Sequence, residues 1–306
     1  MNIAVIGAGA MGCLYAGYLS RGDNKVYILC HSKEEKDKIN NCGILIKKNN
    51  EEIITYPEAI SNSSNINKLD LIIVFVKSKD TEKAVLENLH IISKETFVLT
   101  LQNGYGNLDI LKKYINSNNI IVGTTSEGST KLDLGYVVHA GRGNTYIGLE
   151  EKRKEQNDKI NNILKVFNQA GFNTYISQDV LKLVWSKLII NVGINALTSI
   201  LNLKNGELLD SENTIKLMEE AIKEAVEVGR AKGFSFEYKE AINKVKEVAI
   251  KTSKNKSSML QDILNKKKTE IDVINGAVVK EGKRFSINTK VNDTLTNLVK
   301  AMELNY

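Results

Sequence analysis

The chain has 306 residues, 42% hydrophobic and 25% charged, the composition of a folded globular protein rather than a disordered or fibrous one. Its 42 Lys and Arg against 36 Asp and Glu leave a net charge of +6, which can draw anionic ligands but is too small and scattered to imply nucleic acid. The longest wholly apolar run, Leu71–Val76, is far below the roughly 18 residues of a membrane span. Cys13, Cys30 and Cys42 lack metal-ligand spacing, which favours a reduced, cytoplasmic compartment over a disulfide framework.

Met1–Gly12 is apolar but has neither a basic leader nor a small-residue cleavage site, so it does not read as a signal peptide. In chain order, Asn2–Ile6 reads as a strand, Met11–Arg21 as a helix and Lys25–Cys30 as a strand. Gly43–Lys48 and Glu52–Tyr56 read as a short hairpin or meander on the sheet edge. Strand Leu71–Val76, helix Asp80–Ile92, strand Phe97–Leu101, helix Asn107–Ile115 and strand Ile120–Val122 follow. Near-continuous apolar strands separated by helices imply a parallel sheet covered on both faces. Strands around Tyr136–His139 and Thr145–Leu149 look antiparallel and are expected to close that sheet. Lys152–Ala170 is helical, and Asn173–Ile176 is a last edge strand.

Beyond Ser177 strand signals nearly vanish. Helical patterns cover Val180–Ile200, Asp210–Lys232, Glu237–Ile250, Ser257–Lys267, Glu270–Glu281 and Val291–Met302. At about 150 residues per domain the length allows two domains. The expected architecture is α/β: a Rossmann-type doubly wound sheet over residues 1–176, then an all-α domain over 177–306.

Gly7-Ala8-Gly9-Ala10-Met11-Gly12 follows the first strand and opens the first helix, the setting in which G-x-G-x-x-G binds a dinucleotide. The first glycine permits the turn, the second lets a pyrophosphate approach the backbone, and the third lets helix and strand pack closely. NAD-selective folds place an acid at the end of the second strand, about 20 residues on. Here that strand runs into Cys30-His31-Ser32-Lys33, with no carboxylate before Glu34. His31, Ser32 and Lys33 can receive a 2′-phosphate, so the expected cofactor is NADPH, although such residues also serve as a solvated loop. Lys77 and Asn103 lie just past apolar strands, where open α/β sheets bind ligands. An asparagine at a strand end also serves as a turn former.

The helix Val180–Ile200 is apolar nearly all round, which marks an interior helix. Lys187, Asn191 and Asn195 interrupt it at i, i+4 and i+8, one line with about 6 Å per step. An unpartnered buried lysine costs several kcal/mol. The column must therefore meet polar groups of another element or line a polar cavity. Burial lowers a lysine's pKa, and such an ammonium can donate a proton to a carbonyl oxygen as charge develops there. Farther on, Asn255–Asp262 starts a helix with hydroxyls whose free N–H groups could hold a carboxylate. Thr269-Glu270-Ile271-Asp272 has the form of a capping box, in which Glu270 could be simply a dipole-stabilising acid. His31, His90 and His139 show no metal spacing, and no metal is expected.

Five segments together resemble ketopantoate reductases (2-dehydropantoate 2-reductases) over nearly the whole chain. They are Gly7–Gly12; Leu101-Gln102-Asn103-Gly104; Trp185-Ser186-Lys187-Leu188 with Asn191 and Asn195; Asn205-Gly206-Glu207-Leu208; and Ser257–Asp262 leading to Thr269–Asp272 and Ile274-Asn275-Gly276. The resemblance implies NADPH-dependent reduction of ketopantoate to (R)-pantoate, on the route to pantothenate and coenzyme A. It implies Lys187 as proton donor and substrate-orienting group. Asn191, Asn195 and Asn205 match substrate-contacting amides, and Ser258 a hydroxyl that holds the substrate carboxylate. Glu270 matches an acid near nicotinamide and substrate hydroxyl, Asn103 a residue between cofactor and substrate, and Lys77 one near the adenosine ribose phosphate. Two positions depart from the family pattern: His31 stands where many members carry arginine, and Ala196 where many carry proline. The alternatives are a dehydrogenase of the same layout acting on another small 2-oxo or 3-hydroxy acid, and a nucleotide-sensing module without catalysis. No nucleic-acid or membrane partner is expected; the oligomeric state is open, a homodimer included.

Overall fold

The computed structural model describes residues 1–150 and 157–306. The chain divides into two compact units, Met1–Gln102 with Asn107–Leu181, and Asn103–Gly106 with Lys182–Tyr306.

Among the described residues, the first unit holds an eight-stranded sheet and a four-stranded one. The larger contains β1 (Asn2–Ile6), β2 (Lys25–Leu29), β5 (Glu58–Ile60), β6 (Leu71–Val74), β7 (Phe97–Thr100), β8 (Ile120–Thr125), β11 (Asn144–Gly148) and β12 (Asn173–Ile176). Their order is β12-β11-β8-β7-β6-β1-β2-β5. Strands β5 through β8 run parallel, β11 is antiparallel to β8, and β12 pairs parallel with β11 at the edge. Every residue of β6 and β7 is buried, as a strand covered on both faces requires. Helices α3 (Thr81–Glu87), α4 (Asn107–Lys112) and α5 (Asn157–Gln169) belong to this unit. The first residues of the helix expected from Lys152, residues 152–156, lie outside the described residues.

The hairpin expected on the edge of the main sheet is instead part of the second sheet. There β3 (Ile44–Lys48) and β4 (Glu51–Thr55) join β9 (Gly128–Asp133) and β10 (Tyr136–Gly141) in the order β4-β3-β10-β9. Of the two strands expected to close the main sheet, only β11 does so; β10 pairs parallel with β3. The cause lies in α1 (Ala10–Leu19), in which all eight residues from Gly12 to Leu19 are buried. A helix with no polar face needs cover on two sides, and the small sheet supplies the second. Gly17 makes the approach possible, since a Cβ there would lie 2.7 Å from Ile46 Cδ1 and 2.8 Å from Thr55 Oγ1.

A further helix, α2 (Lys33–Cys42), is absent from the periodicity reading because only Glu35 and Ile39 are buried. Ser32 caps it by accepting the Glu35 N–H at 3.1 Å. Ser32-x-x-Glu35 is a sequence signature of a helix start.

The second unit is helical: most of α6 (Val180–Leu201), then α7 (Glu212–Ala231), α8 (Tyr238–Lys251), α9 (Ser258–Leu264), α10 (Asn275–Arg284) and α11 (Lys290–Met302). By length and composition α6 could cross a membrane. Its Trp185, Leu188, Val192 and Leu197 are buried in this unit's own core with Met218, Ile222 and Val245, which accounts for its hydropathy. The expected helix Glu270–Glu281 is broken into a 3₁₀ turn, Ile271–Val273, and α10, with Ile274 at φ −106°, ψ −92° between them. The Val273 carbonyl accepts the N–H of Tyr105 at 2.8 Å. Gly104 fits only without a side chain, because at φ +83° its Cβ would lie 2.5 Å from that same oxygen. Nor does a full capping box form: Thr269 Oγ1 accepts from Ile271 N, while the Asp272 carboxylate takes Lys300 Nζ at 2.9 Å.

Candidate active site

In the first unit the glycine loop is shaped by three different constraints. Gly7 sits at φ +108°, where a Cβ would be 2.9 Å from the Val76 nitrogen. Gly12 lies so close to the loop that a Cβ would fall 1.8 Å from the Gly7 oxygen. At Gly9 a Cβ would meet no protein atom within 4 Å, and Gly9 caps α1 without a side-chain hydrogen bond. The space above Gly9 and the uncapped start of α1 fit the pyrophosphate of a dinucleotide. Ala8 is buried, while Ala10 and Met11 are half-buried.

His31 and Lys33 are exposed at the start of α2, directly after β2. Lys77 is half-buried three residues beyond β6, its carbonyl accepting the Asp80 N–H at 2.8 Å. Two residues that local sequence does not single out brace the loop from β9. Ser129 Oγ donates to the Ala10 carbonyl at 3.0 Å, and Lys131 Nζ donates to the Ala8 carbonyl at 2.9 Å while pairing with Glu35. Their loop partners are more than 100 positions away in sequence, so no spacing rule reaches them.

Three of the reactive-group candidates come together within the second unit. Lys187 Nζ donates to Asn103 Oδ1 at 2.7 Å, and Asn103 Nδ2 donates to Glu270 Oε2 at 3.4 Å. One amide thus bridges an ammonium and a carboxylate. Burial pushes the Lys187 ammonium down to about 8, with the Glu270 charge opposing that shift. The cause is desolvation on an apolar helix, a cost only partly offset by the acid. The result is an ammonium that holds its proton at neutral pH and releases it more readily than a surface lysine.

The other polar residues of α6 follow at helical spacing, Asn191 half-buried and Asn195 buried. Asn205 is buried, its N–H donating to Asn255 O at 3.0 Å and its Nδ2 to Thr252 Oγ1 at 2.9 Å. Its Oδ1 is enclosed without a protein partner, a state that costs free energy until a donor arrives. At α9 the hydroxyls divide their work. Ser257 is the cap, accepting the Leu260 N–H at 3.1 Å and sharing a 2.7 Å hydrogen bond with Thr198, whereas Ser258 is exposed.

The segment Asn103–Gly106 is held by contacts that sequence reasoning misses. The Tyr105 ring meets Trp185 edge-on at 4.9 Å, and Lys232 Nζ lies 4.7 Å from the Tyr105 centroid. Lys232 pairs with the buried Glu281 at 2.5 Å, and Glu281 also takes Arg284 at 3.0 Å. Trp185 Nε1 donates to Ala225 O at 3.0 Å, which fixes its ring. A cation over an aromatic face contributes about 1–2 kcal/mol where water is displaced. The clamp therefore holds the residue two positions after Asn103.

Two family profiles match the chain. One, described as ketopantoate reductase PanE/ApbA, covers residues 3–152; the other, ketopantoate reductase PanE/ApbA C terminal, covers 179–303. The 2-dehydropantoate 2-reductase of Halobacterium salinarum is 32% identical, with 98% of each chain aligned. A solved PanE/ApbA family ketopantoate reductase from Ralstonia eutropha is 29% identical, with TM-score 0.90 over 100% of this chain and 99% of its own. A D-mandelate dehydrogenase solved with NADH and anilino(oxo)acetate is 28% identical, with TM-score 0.94 over 100% and 99%.

Proposed function

The chain belongs to the ketopantoate reductase family, and from that premise we propose that it reduces ketopantoate to (R)-pantoate, with NADPH supplying the hydride to the ketone carbon. The observation that carries this reading is the Lys187–Asn103–Glu270 group on the second unit. Reduction of a ketone needs one proton at the oxygen that becomes the alcohol. Lys187 is the group that gives it: its proton is held below about pH 8 and is released against a developing alkoxide. Asn103 aims the ammonium through its Oδ1, and Glu270 fixes the other end of that amide. Placement of this kind is worth several kcal/mol of barrier.

Asn191 and Asn195 present amides along the same face of α6. Asn205 Oδ1 offers an acceptor for a substrate hydroxyl, and its lack of a protein partner supports that role. Ser258, exposed at the start of α9, is the hydroxyl for the substrate carboxylate. In the first unit Gly7, Gly9 and Gly12 admit the cofactor pyrophosphate, with Ala8, Ala10 and Met11 completing the turn. His31, Lys33 and Lys77 supply polar and cationic groups for the adenosine ribose phosphate. Three free cysteines, Cys42 exposed, fit a reducing cytoplasmic setting.

The test is the loss of nicotinamide absorbance when purified protein and NADPH receive ketopantoate. Rapid consumption that requires both components supports the proposal; binding of NADPH with no oxidation by any 2-oxo acid overturns it. A second reading, reduction of another small 2-oxo acid, is favoured by the likeness to D-mandelate dehydrogenase. Initial rates across a panel that includes phenylglyoxylate separate the two.

A further inference from the structure

Lys131 bears on which nicotinamide cofactor the first unit takes. It lies on β9, and its Nζ ties together two points distant in sequence: the Ala8 carbonyl within the glycine loop and the carboxylate of Glu35. Glu35 stands in the first turn of α2, three residues past the cap Ser32 and four past His31. It follows the end of β2, where a dinucleotide's adenosine ribose is met. The Glu35 residue is only 7% exposed, and its carboxylate turns to Lys131 rather than back to the helix cap. Two thiols locate the pair. Cys13 in the first turn of α1 and Cys30 at the end of β2 are pushed up to about 12 by burial, and each also feels Glu35 and Lys131 in opposite senses. The ion pair therefore sits between the glycine loop and the segment that carries His31.

An acid after the second strand selects for a ribose hydroxyl and against a phosphate. This chain has two acids within one helical turn of His31: Glu34 is turned out to solvent, whereas Glu35 is drawn inward and its charge is cancelled. We propose that Lys131 is a specificity-determining residue for the cofactor: by neutralising Glu35 and fixing it to the glycine loop, it removes the repulsion that Glu35 would otherwise offer a ribose 2′-phosphate. Without it, His31, Lys33 and Lys77 would have two carboxylates to offset, those of Glu34 and Glu35. The inference rests on the reading that the glycine loop binds a dinucleotide.

The experiment measures dissociation constants of NADPH and NADH by nicotinamide fluorescence, on the full chain without any 2-oxo acid, at one fixed ionic strength. In Lys131→Met the NADPH-over-NADH preference falls about tenfold, the size expected for one uncompensated like charge at partly screened range. Glu35→Gln together with Lys131→Met returns the ratio to within about threefold of wild type, and Lys131→Arg, which keeps the charge, holds it. Equal weakening of both cofactors in Lys131→Met, or failure of the double variant to recover the ratio, overturns the inference and leaves Lys131 as a mechanical brace of the loop. If Lys131→Met does not fold, the arginine and double variants carry the same comparison: a lost preference in Lys131→Arg is the overturning result. A mistaken substrate leaves these ratios readable, whereas a wild-type chain that binds neither cofactor overturns the dinucleotide reading and this inference with it.

Discussion

Helices α1 and α6 are both apolar on nearly every side, and they serve their sites in opposite ways. In α1 eight successive residues are buried and no charged side chain is present. What it would offer a ligand is backbone, opened at its start by the missing side chain of Gly9, while Gly7 and Gly12 let the turn close against Val76 and against itself. In α6 the backbone is fully occupied in mid-helix, and what the helix brings to the proposed site is a side chain, Lys187, held among apolar neighbours at a lowered pKa. Phosphate oxygens are permanently charged, so fixed N–H dipoles suffice to hold them. A ketone oxygen acquires charge only during reaction, so a group that can change its own protonation is needed. Substitutions should therefore harm the first helix by adding atoms and the second by removing them.

The largest effect expected from that contrast is at α6. Lys187→Ala should lower kcat for ketopantoate by about 10²–10⁴-fold, while the NADPH dissociation constant moves less than about threefold. Steady-state kinetics beside a cofactor titration checks both halves. On α1, Gly12→Ala should cost about 3 kcal/mol in denaturant unfolding, because a Cβ 1.8 Å from the Gly7 oxygen forces the backbone apart. Gly9→Ala should cost no more than about 1 kcal/mol, the loss of a glycine cap, since its Cβ meets nothing, yet weaken NADPH about tenfold by occupying ligand space. Equal destabilisation by the two alanines would break the distinction.

The pH dependence sharpens it further. A lysine whose pKa has come down to about 8 loses its proton as pH rises through that value. The kcat/KM for reduction should then be level below pH 8 and fall about tenfold per unit above it, while NADPH binding, in which Lys187 is assigned no part, should show no limb at that pH. Lys187→Arg should abolish the limb along with most of the rate. The smallest effect concerns the clamp on Tyr105. Lys232→Met should destabilise by about 1–2 kcal/mol rather than the larger penalty of a fully orphaned carboxylate, because Arg284 still reaches Glu281.

What could be read from the sequence follows the range of each interaction. The glycine loop, the buried parallel strands and the polar line along α6 depend on neighbours within about ten residues, and their spacing states their purpose. Asn103 with Lys187 and Glu270 was reachable only through family likeness, since the three are separated by 84 and 167 positions. Of the second sheet, β3, β4 and β10 and the β3–β4 hairpin were legible, but not their assembly into a separate sheet. Its β3–β10 pairing joins Leu45 to Tyr136, and nothing in either strand distinguishes that partner from an edge of the main sheet. Tyr105, Lys131 and Lys232 read as ordinary loop, strand and surface residues until their partners are in view. By contrast Ser32-x-x-Glu35 announces α2 locally, and the helix escapes a periodicity search only because it buries so little.

The passage of residues 103–106 into the second unit has a practical consequence for anyone who would cut this gene. A fragment beginning at Lys182 holds most of α6 and every later helix but leaves out Asn103 and Tyr105, so Trp185 loses an aromatic neighbour, the Val273 carbonyl loses the Tyr105 donor and the Lys187 ammonium loses the Asn103 acceptor. Chimaeras between relatives would have to exchange this tetrapeptide together with the helices, as two separate inserts, or inherit a mismatched lining around the Lys187 nitrogen.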